Sequence, residues 1–278
     1  MNECIVGFDG SEHSRVALRW GASLAGTINL KLVVVEAWHG GDPAAAEARA
    51  EGVRQNLARV AMPELGSRAQ NVDVTFEALH GSDAGAILER VTSDSILVLG
   101  SRGRGGFSAL LLGSVSRECV ERARCPVLIV RHERSVPGAG TAILVGHDGS
   151  PSSVGALQWA AELGRLTGAE VIAAHVWQAG ASEVRPRLQE NLSGAAGRDI
   201  ESWAQDVSPG VRPMQIEGEP RMALVEAAQR LNAGLLVAGR RGPDGIRALR
   251  IGSVASYLVR NSTVPIAIVP PPPETEPA

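Results

Sequence analysis

Short apolar runs and amphipathic stretches alternate along the whole chain. Residues 5–8 and 143–146 are apolar runs that end at Asp-Gly-Ser, a pattern that predicts buried strands. Residues 15–24 and 154–163 space apolar side chains at the helical period, with Ser11 or Ser14 and Ser150 or Ser152 as N-caps. Second strands follow at 30–35 and 170–174, longer helices at 44–62 and 184–207, and third strands at 72–79 and 211–216. Helices at 84–91 and 223–231, fourth strands at 96–99 and 235–238, helices at 114–123 and 253–259, and fifth strands at 127–130 and 266–269 complete the pattern. Strands that alternate with helices imply parallel sheets covered on both faces.

The second half of the chain repeats the first. Val6-Gly7-Phe8-Asp9-Gly10-Ser11 returns as Val145-Gly146-His147-Asp148-Gly149-Ser150. At the same offset Trp20, Trp38, Gly100, Gly103, Gly113 and Ser114 return as Trp159, Trp177, Gly239, Gly242, Gly252 and Ser253. A domain-sized period means two homologous domains rather than a solenoid. They are read as residues 1–132 and 141–270, with a polar linker at 133–140 and an extended proline-rich tail at 271–278. The expected fold class is α/β, with two doubly wound domains. Each has a five-stranded parallel-type sheet in the order 3-2-1-4-5 and helices on both faces. In such a sheet ligands bind outside the carboxyl ends of the strands, where the winding reverses between strands one and four. Asp9 and Gly100 stand there in one half, Asp148 and Gly239 in the other.

Composition removes several classes of function. With 44% hydrophobic residues, 21% charged and a net charge of −3, the chain is globular and makes no general case for nucleic acid or an anionic membrane. No apolar run approaches the ~18 residues of a membrane span. Residues 1–11 lack the pattern of a signal peptide, and three cysteines without CxxC or metal spacing suit a reducing cytosol, so a cytoplasmic location is expected. Lysine and arginine together number 27, and Lys31 is the only lysine. It sits in no GxxxxGK[ST] loop, which excludes a Walker-type P-loop. The six histidines are scattered, with no pair at metal-ligand spacing.

The chemistry concentrates in two glycine-rich segments. Gly100-Ser101-Arg102-Gly103 and Gly239-Arg240-Arg241-Gly242 each leave a fourth strand, and Gly113-Ser114 and Gly252-Ser253 each open the next helix after the same spacing. Glycine lets a backbone approach a ligand closely, and a helix N-terminus offers unpaired N–H groups to an anion. Ser114 and Ser253 either bond a phosphate oxygen or cap their own helices. Arg102, Arg104 and Arg117, and Arg240, Arg241, Arg247 and Arg250, add positive charge. Asp9 and Asp148 are either Asx-turn residues or acceptors for a ribose or a phosphate-bound metal. Trp20 and Trp159 are read as core rather than as base-stacking residues, and Trp38 and Trp177, at the ends of the second strands, are read as core in preference to a place near a base.

The twofold G-x2-G-x9-G-[ST] pattern resembles the universal stress proteins. V-G-x-D-G-S at each first strand, and Cys125-Pro126-Val127 and Val264-Pro265-Ile266 before each last strand, strengthen the resemblance over both halves. It implies a fold of the adenine-nucleotide-binding type and a ligand, ATP, often held with Mg²⁺ or Mn²⁺. Gly7 and Asp9, with Gly146 and Asp148, would then face the adenosine. The backbones of Ala37 and Val176 would read the adenine edge. Gly100, Gly103, Gly105, Gly106, Gly113, Ser114 and Val115 would wrap the phosphates, as would Gly239, Gly242, Gly245, Gly252, Ser253 and Val254, with Ser101, Arg102, Arg104, Arg240 and Arg241 beside them. Two departures weaken the second site: Arg240 replaces the usual serine, and Pro243-Asp244 brings a residue without N–H and a carboxylate where glycine is usual. In that family the fifth strands pair subunits, which implies pairing of the two halves within this chain and leaves a further homodimer open.

Between Gly100 and Arg117 there is no Asp, Glu or His to orient a water on a phosphate. The resemblance implies a nucleotide-dependent regulator or sensor in stress or growth arrest, and the lack of such a residue adds the expectation of no catalytic residue and at most very slow hydrolysis. The alternatives are an enzyme that transfers an adenylyl group or slowly hydrolyses ATP on the same fold, and a scaffold that has lost its ligand.

Overall fold

The computed structural model describes residues 1–40, 45–104, 112–177, 210–242 and 250–272. The first half runs β1 (Glu3–Gly7), α1 (Glu12–Ile28), β2 (Lys31–Trp38), α2 (Ala46–Leu65), β3 (Val74–His80), α3 (Asp83–Arg90), β4 (Ser95–Gly100), α4 (Ser114–Arg122) and β5 (Val127–Val130). The second runs β6 (Ala142–Gly146), α5 (Pro151–Thr167), β7 (Glu170–Trp177), β8 (Val211–Glu217), α6 (Pro220–Arg230), β9 (Leu235–Gly239), α7 (Ser253–Asn261) and β10 (Ile266–Val269).

Local sequence sets the helix ends. Ser11 caps α1 by accepting the Ser14 N–H at 3.2 Å, and Ser150 caps α5 by accepting the Ser153 N–H at the same distance. Asn29 and Gly168 close these helices in the left-handed conformation. The second strands run past residues 35 and 174, where their apolar runs stop. Glu36 and His175 are polar, yet the backbone ladder continues to Trp38↔His80 and Trp177↔Glu217. The helix expected at 44–62 is α2, displaced toward Leu65, and the one expected at 184–207 lies outside the described residues.

All ten strands form one sheet in the order β3-β2-β1-β4-β5-β10-β9-β6-β7-β8. Within each half the pairs are parallel and follow 3-2-1-4-5. The halves meet where β10 runs antiparallel to β5, with Ile266 opposite Ile129 and Ile268 opposite Val127. Alternate strand residues serve opposite layers. Val6, Val34 and Val98 pack with Leu18, Leu24 and Leu57 from α1 and α2, and Ile5, Val33 and Leu97 pack with Ile87 and Val120 from α3 and α4. Burial of each such side chain contributes roughly 1.5–3 kcal/mol. Two-sided burial is why the strands read as unbroken apolar runs. Among the described residues no helix is long and apolar enough to cross a membrane.

Candidate functional site

A cleft opens at the carboxyl end of each half's sheet, with a volume of about 700 Å³ in the first half and about 480 Å³ in the second. Both are of ligand size. Gly7, Asp9, Ala37, Gly100, Arg102, Gly103, Arg104, Gly113, Ser114 and Val115 line the first. Gly146, Asp148, Val176, Gly239, Arg240, Arg241, Gly242, Gly252, Ser253 and Val254 line the second. Ser101 is fully buried and is not part of the first wall. Gly105, Gly106 and Gly245 lie outside the described residues.

The glycine segments are shaped by close packing. A Cβ on Gly100 would stand 2.6 Å from the backbone carbon of His13, and one on Gly239 would stand 2.6 Å from that of Ser152. The strand ends therefore lie directly against the first turns of α1 and α5. The chain returns to each segment just before the next helix: Gly113 N–H donates to Ser101 O at 2.7 Å, and Gly252 N–H donates to Arg240 O at 2.8 Å. Gly113 and Gly252 occupy the N-cap positions of α4 and α7, and neither helix has a side-chain cap. Ser114 and Ser253 are thus the first helical residues and do not cap their own helices. Each N-terminus faces its cleft with partial positive charge and first-turn N–H groups free of a side-chain acceptor, an arrangement suited to an anion.

Asp9 plays the turn role. Its Oδ1 accepts the Ser11 N–H at 3.0 Å, and its Oδ2 accepts the Arg104 N–H at 3.0 Å. Burial works to raise its pKa, but hydrogen bonds from Ser11, Ser14 and Arg104 outweigh it and hold the carboxyl below its ordinary value. Asp148 repeats half of this: Oδ1 accepts the Ser150 N–H at 3.0 Å. The position matching Arg104 is Pro243, which has no N–H to give to Oδ2.

The arginines are placed less uniformly than their spacing suggested. Arg102 Nε donates to His13 Nε2 at 3.0 Å, and Arg104 pairs with Glu36 at 2.8 Å. The Arg240 side chain turns out of the second cradle, and its Nη1 donates to the carbonyl of Ala123 in the other half at 2.7 Å. Its guanidinium is therefore engaged by the other half, while Arg240 still lines the second cleft.

Sequence reasoning missed several wall residues. Glu36, Arg49, His39 and Asp83 line the first cleft. Ser116 Oγ donates to Gly100 O at 2.6 Å and ties α4 to the end of β4. In the second cleft His147 replaces Phe8, and Ser153 Oγ lies 2.9 Å from His147 Nδ1. Burial pushes the His147 pKa down to about 4. The signal available was the one varying position inside V-G-x-D-G-S. The two outer tryptophans part ways. Trp38 is buried, with its ring 4.5 Å from that of His80 and Arg49 Cζ 5.4 Å from its centroid. Trp177 is 43% exposed, which corrects its assignment to the core: Glu217, not an aromatic residue, stands beside it on β8.

Two homologous doubly wound halves, each with an uncapped helix end facing a glycine segment at the winding reversal, define a tandem α/β protein with one glycine-walled cleft per half. The universal stress protein family profile matches residues 1–131 and 141–270, and the chain belongs to that family. It is 29% identical over 287 residues to universal stress protein Rv2005c of Mycobacterium tuberculosis, covering 95% of each chain. It is 27% identical over 287 residues to a universal stress protein of Mycolicibacterium smegmatis, covering 96% of each. The crystal structure of a universal stress protein from Archaeoglobus fulgidus matches 98% of this chain and 99% of that one, with a TM-score of 0.68 at 22% identity, a likeness of fold.

Proposed function

We propose that the chain binds adenine nucleotides, ATP first among them, in both clefts and acts in the cytoplasm as a nucleotide-dependent regulator in stress or growth arrest. The observation that carries this reading is the pair of helix N-termini, α4 and α7, left without side-chain caps beside glycine segments at the reversal of the sheet. Little or no hydrolysis is part of this proposal: the segment from Gly100 to Arg117 carries no Asp, Glu or His, and of the acidic groups in the first cleft's wall Glu36 is engaged by Arg104 and Asp83 faces His39 at 3.9 Å. A divalent cation fits this reading as a companion of the phosphates, whose charge it would neutralise. Asp148 suits such a role better than Asp9, since both Asp9 oxygens already accept backbone N–H groups.

The test is the mass and stoichiometry of nucleotide released on denaturing freshly purified protein, followed by calorimetry with added ATP. Two adenine nucleotides per chain and negligible turnover are expected. Protein that carries none and takes up none overturns the reading, and turnover near the ~1–100 s⁻¹ of kinases overturns its regulatory part.

A further inference from the structure

The positions just after the fourth and fifth strands lie side by side in each half, because Gly100 registers with Val130 and Gly239 with Val269. In the first half these positions hold Ser101 and Arg131, and in the second Arg240 and Pro270. Each half therefore supplies one arginine here, from the fifth strand in one case and the fourth in the other. Both side chains cross the β5–β10 seam. Arg131 Nη2 donates to the carbonyl of Val259, in the last turn of α7. Arg240 Nη1 donates to the carbonyl of Ala123, the residue that closes α4.

These carbonyls belong to the far ends of the two helices whose near ends open onto the clefts. A helix C-terminus presents unpaired carbonyls and partial negative charge, so a guanidinium there holds the helix in place. Each helix has only 9 residues, so its two ends are separated by roughly 13 Å. At its root Arg240 is also fixed to its own cradle: its carbonyl accepts the Gly252 N–H at 2.8 Å, and its N–H donates to Val269 O at 2.8 Å. A shift of the second cradle thus moves the group that grips the helix of the first. Arg131 directly follows Val130, which registers with Gly100 in the wall of the first cleft, and so links that cleft to α7.

We propose that Arg131 and Arg240 couple the two clefts, each tying one half's cradle to the helix that forms the other's. Occupancy of one cleft then orders the helix of its neighbour and raises the neighbour's affinity. This coupling rests on the nucleotide reading above.

The experiment uses the full chain, ATP as probe and hydrogen exchange read by mass spectrometry. Gly103→Asp and Gly242→Asp each place a carboxylate in one cradle and leave the other cleft for ATP. With Gly103→Asp, ATP in the second cleft is expected to slow exchange in the last turn of α4 by about 5-fold, the low end of typical coupling. Adding Arg240→Ser abolishes the effect and Arg240→Lys keeps part of it. With Gly242→Asp, the last turn of α7 responds in the same way and Arg131→Ser abolishes the response. If ATP occupies only one cleft of the wild-type chain, the helix of the other cleft decides. ATP binding with no change in the empty half's helix, or a change that survives the serine variants, overturns the coupling and leaves the nucleotide reading intact. A wild-type chain that binds no ATP overturns both.

Discussion

Arg104 and Glu36 form an ion pair of 2.8 Å over the carboxyl end of β1, one from the segment after β4 and the other from β2. The same arginine donates its backbone N–H to Asp9. Together these bonds draw the glycine segment across the first cleft. The second half has Pro243 and His175 at the matching positions and can form neither bond. A ligand entering the first cleft competes with Glu36 for Arg104. Exposed pairs contribute about 0–1 kcal/mol, so Glu36→Ala is expected to tighten ATP binding at the first cleft by up to about 5-fold at low salt. The gain should shrink as salt screens the pair. Calorimetry at two ionic strengths checks this, and weaker binding in the variant contradicts it.

Gly100 and Gly239 leave no room for a methyl group. The obstruction is backbone, from His13 and Ser152, so no rotamer change relieves it. Gly100→Ala and Gly239→Ala are each expected to cost about 1–3 kcal/mol, the usual range for overpacking, measured by urea denaturation. A change below about 0.5 kcal/mol would mean that α1 and α5 sit less tightly on the strand ends than they do here.

The duplicated strand–glycine–helix segments made the fold legible, because two-sided burial writes itself into sequence as apolar runs. The cleft walls were legible for the same reason: Gly7, Asp9, Gly100 and their repeats terminate those runs. What escaped was every relationship between side chains distant in sequence. Glu36 and Arg104 meet only because β2 and β4 flank β1. The turn of Arg240 toward Ala123 depends on the β5–β10 seam, which no spacing within one repeat encodes. Trp177 shares its place in the repeat with Trp38, but its exposure is set by the different residues around it.

Asp9 and Asp148 offer an internal comparison. Asp9→Ala strands two backbone donors, those of Ser11 and Arg104, and Asp148→Ala strands one, that of Ser150. A hydrogen bond to a charged acceptor contributes about 1.5–3 kcal/mol, less where water replaces it. Asp9→Ala is therefore expected to lower stability by about 1 kcal/mol more than Asp148→Ala. Matched urea titrations at neutral pH test the difference. Equal losses would show that the Arg104 N–H is as well satisfied by water as by Asp9.

His147 makes the second half sensitive to acid. Its Nε2 accepts the Gly149 N–H at 3.1 Å, so the neutral ring carries its proton on Nδ1, 2.9 Å from Ser153 Oγ. Burial lowers its pKa to about 4, with His175 adding to the fall and Asp148 opposing it. The unfolded chain titrates near the ordinary 6.5, so between about pH 6.5 and 4 the unfolded state binds more protons than the folded one. Stability is therefore complete above pH 6.5 and declines as the pH falls toward 4. A depression of this size corresponds to a loss of at most about 3 kcal/mol. Phe occupies the matching position of the first half, so His147→Phe is the natural control. Urea midpoints measured from pH 7.5 to 4.5 should fall less steeply for His147→Phe than for the wild type. Parallel slopes would mean that the imidazole gains its proton in the folded state as readily as in the unfolded one.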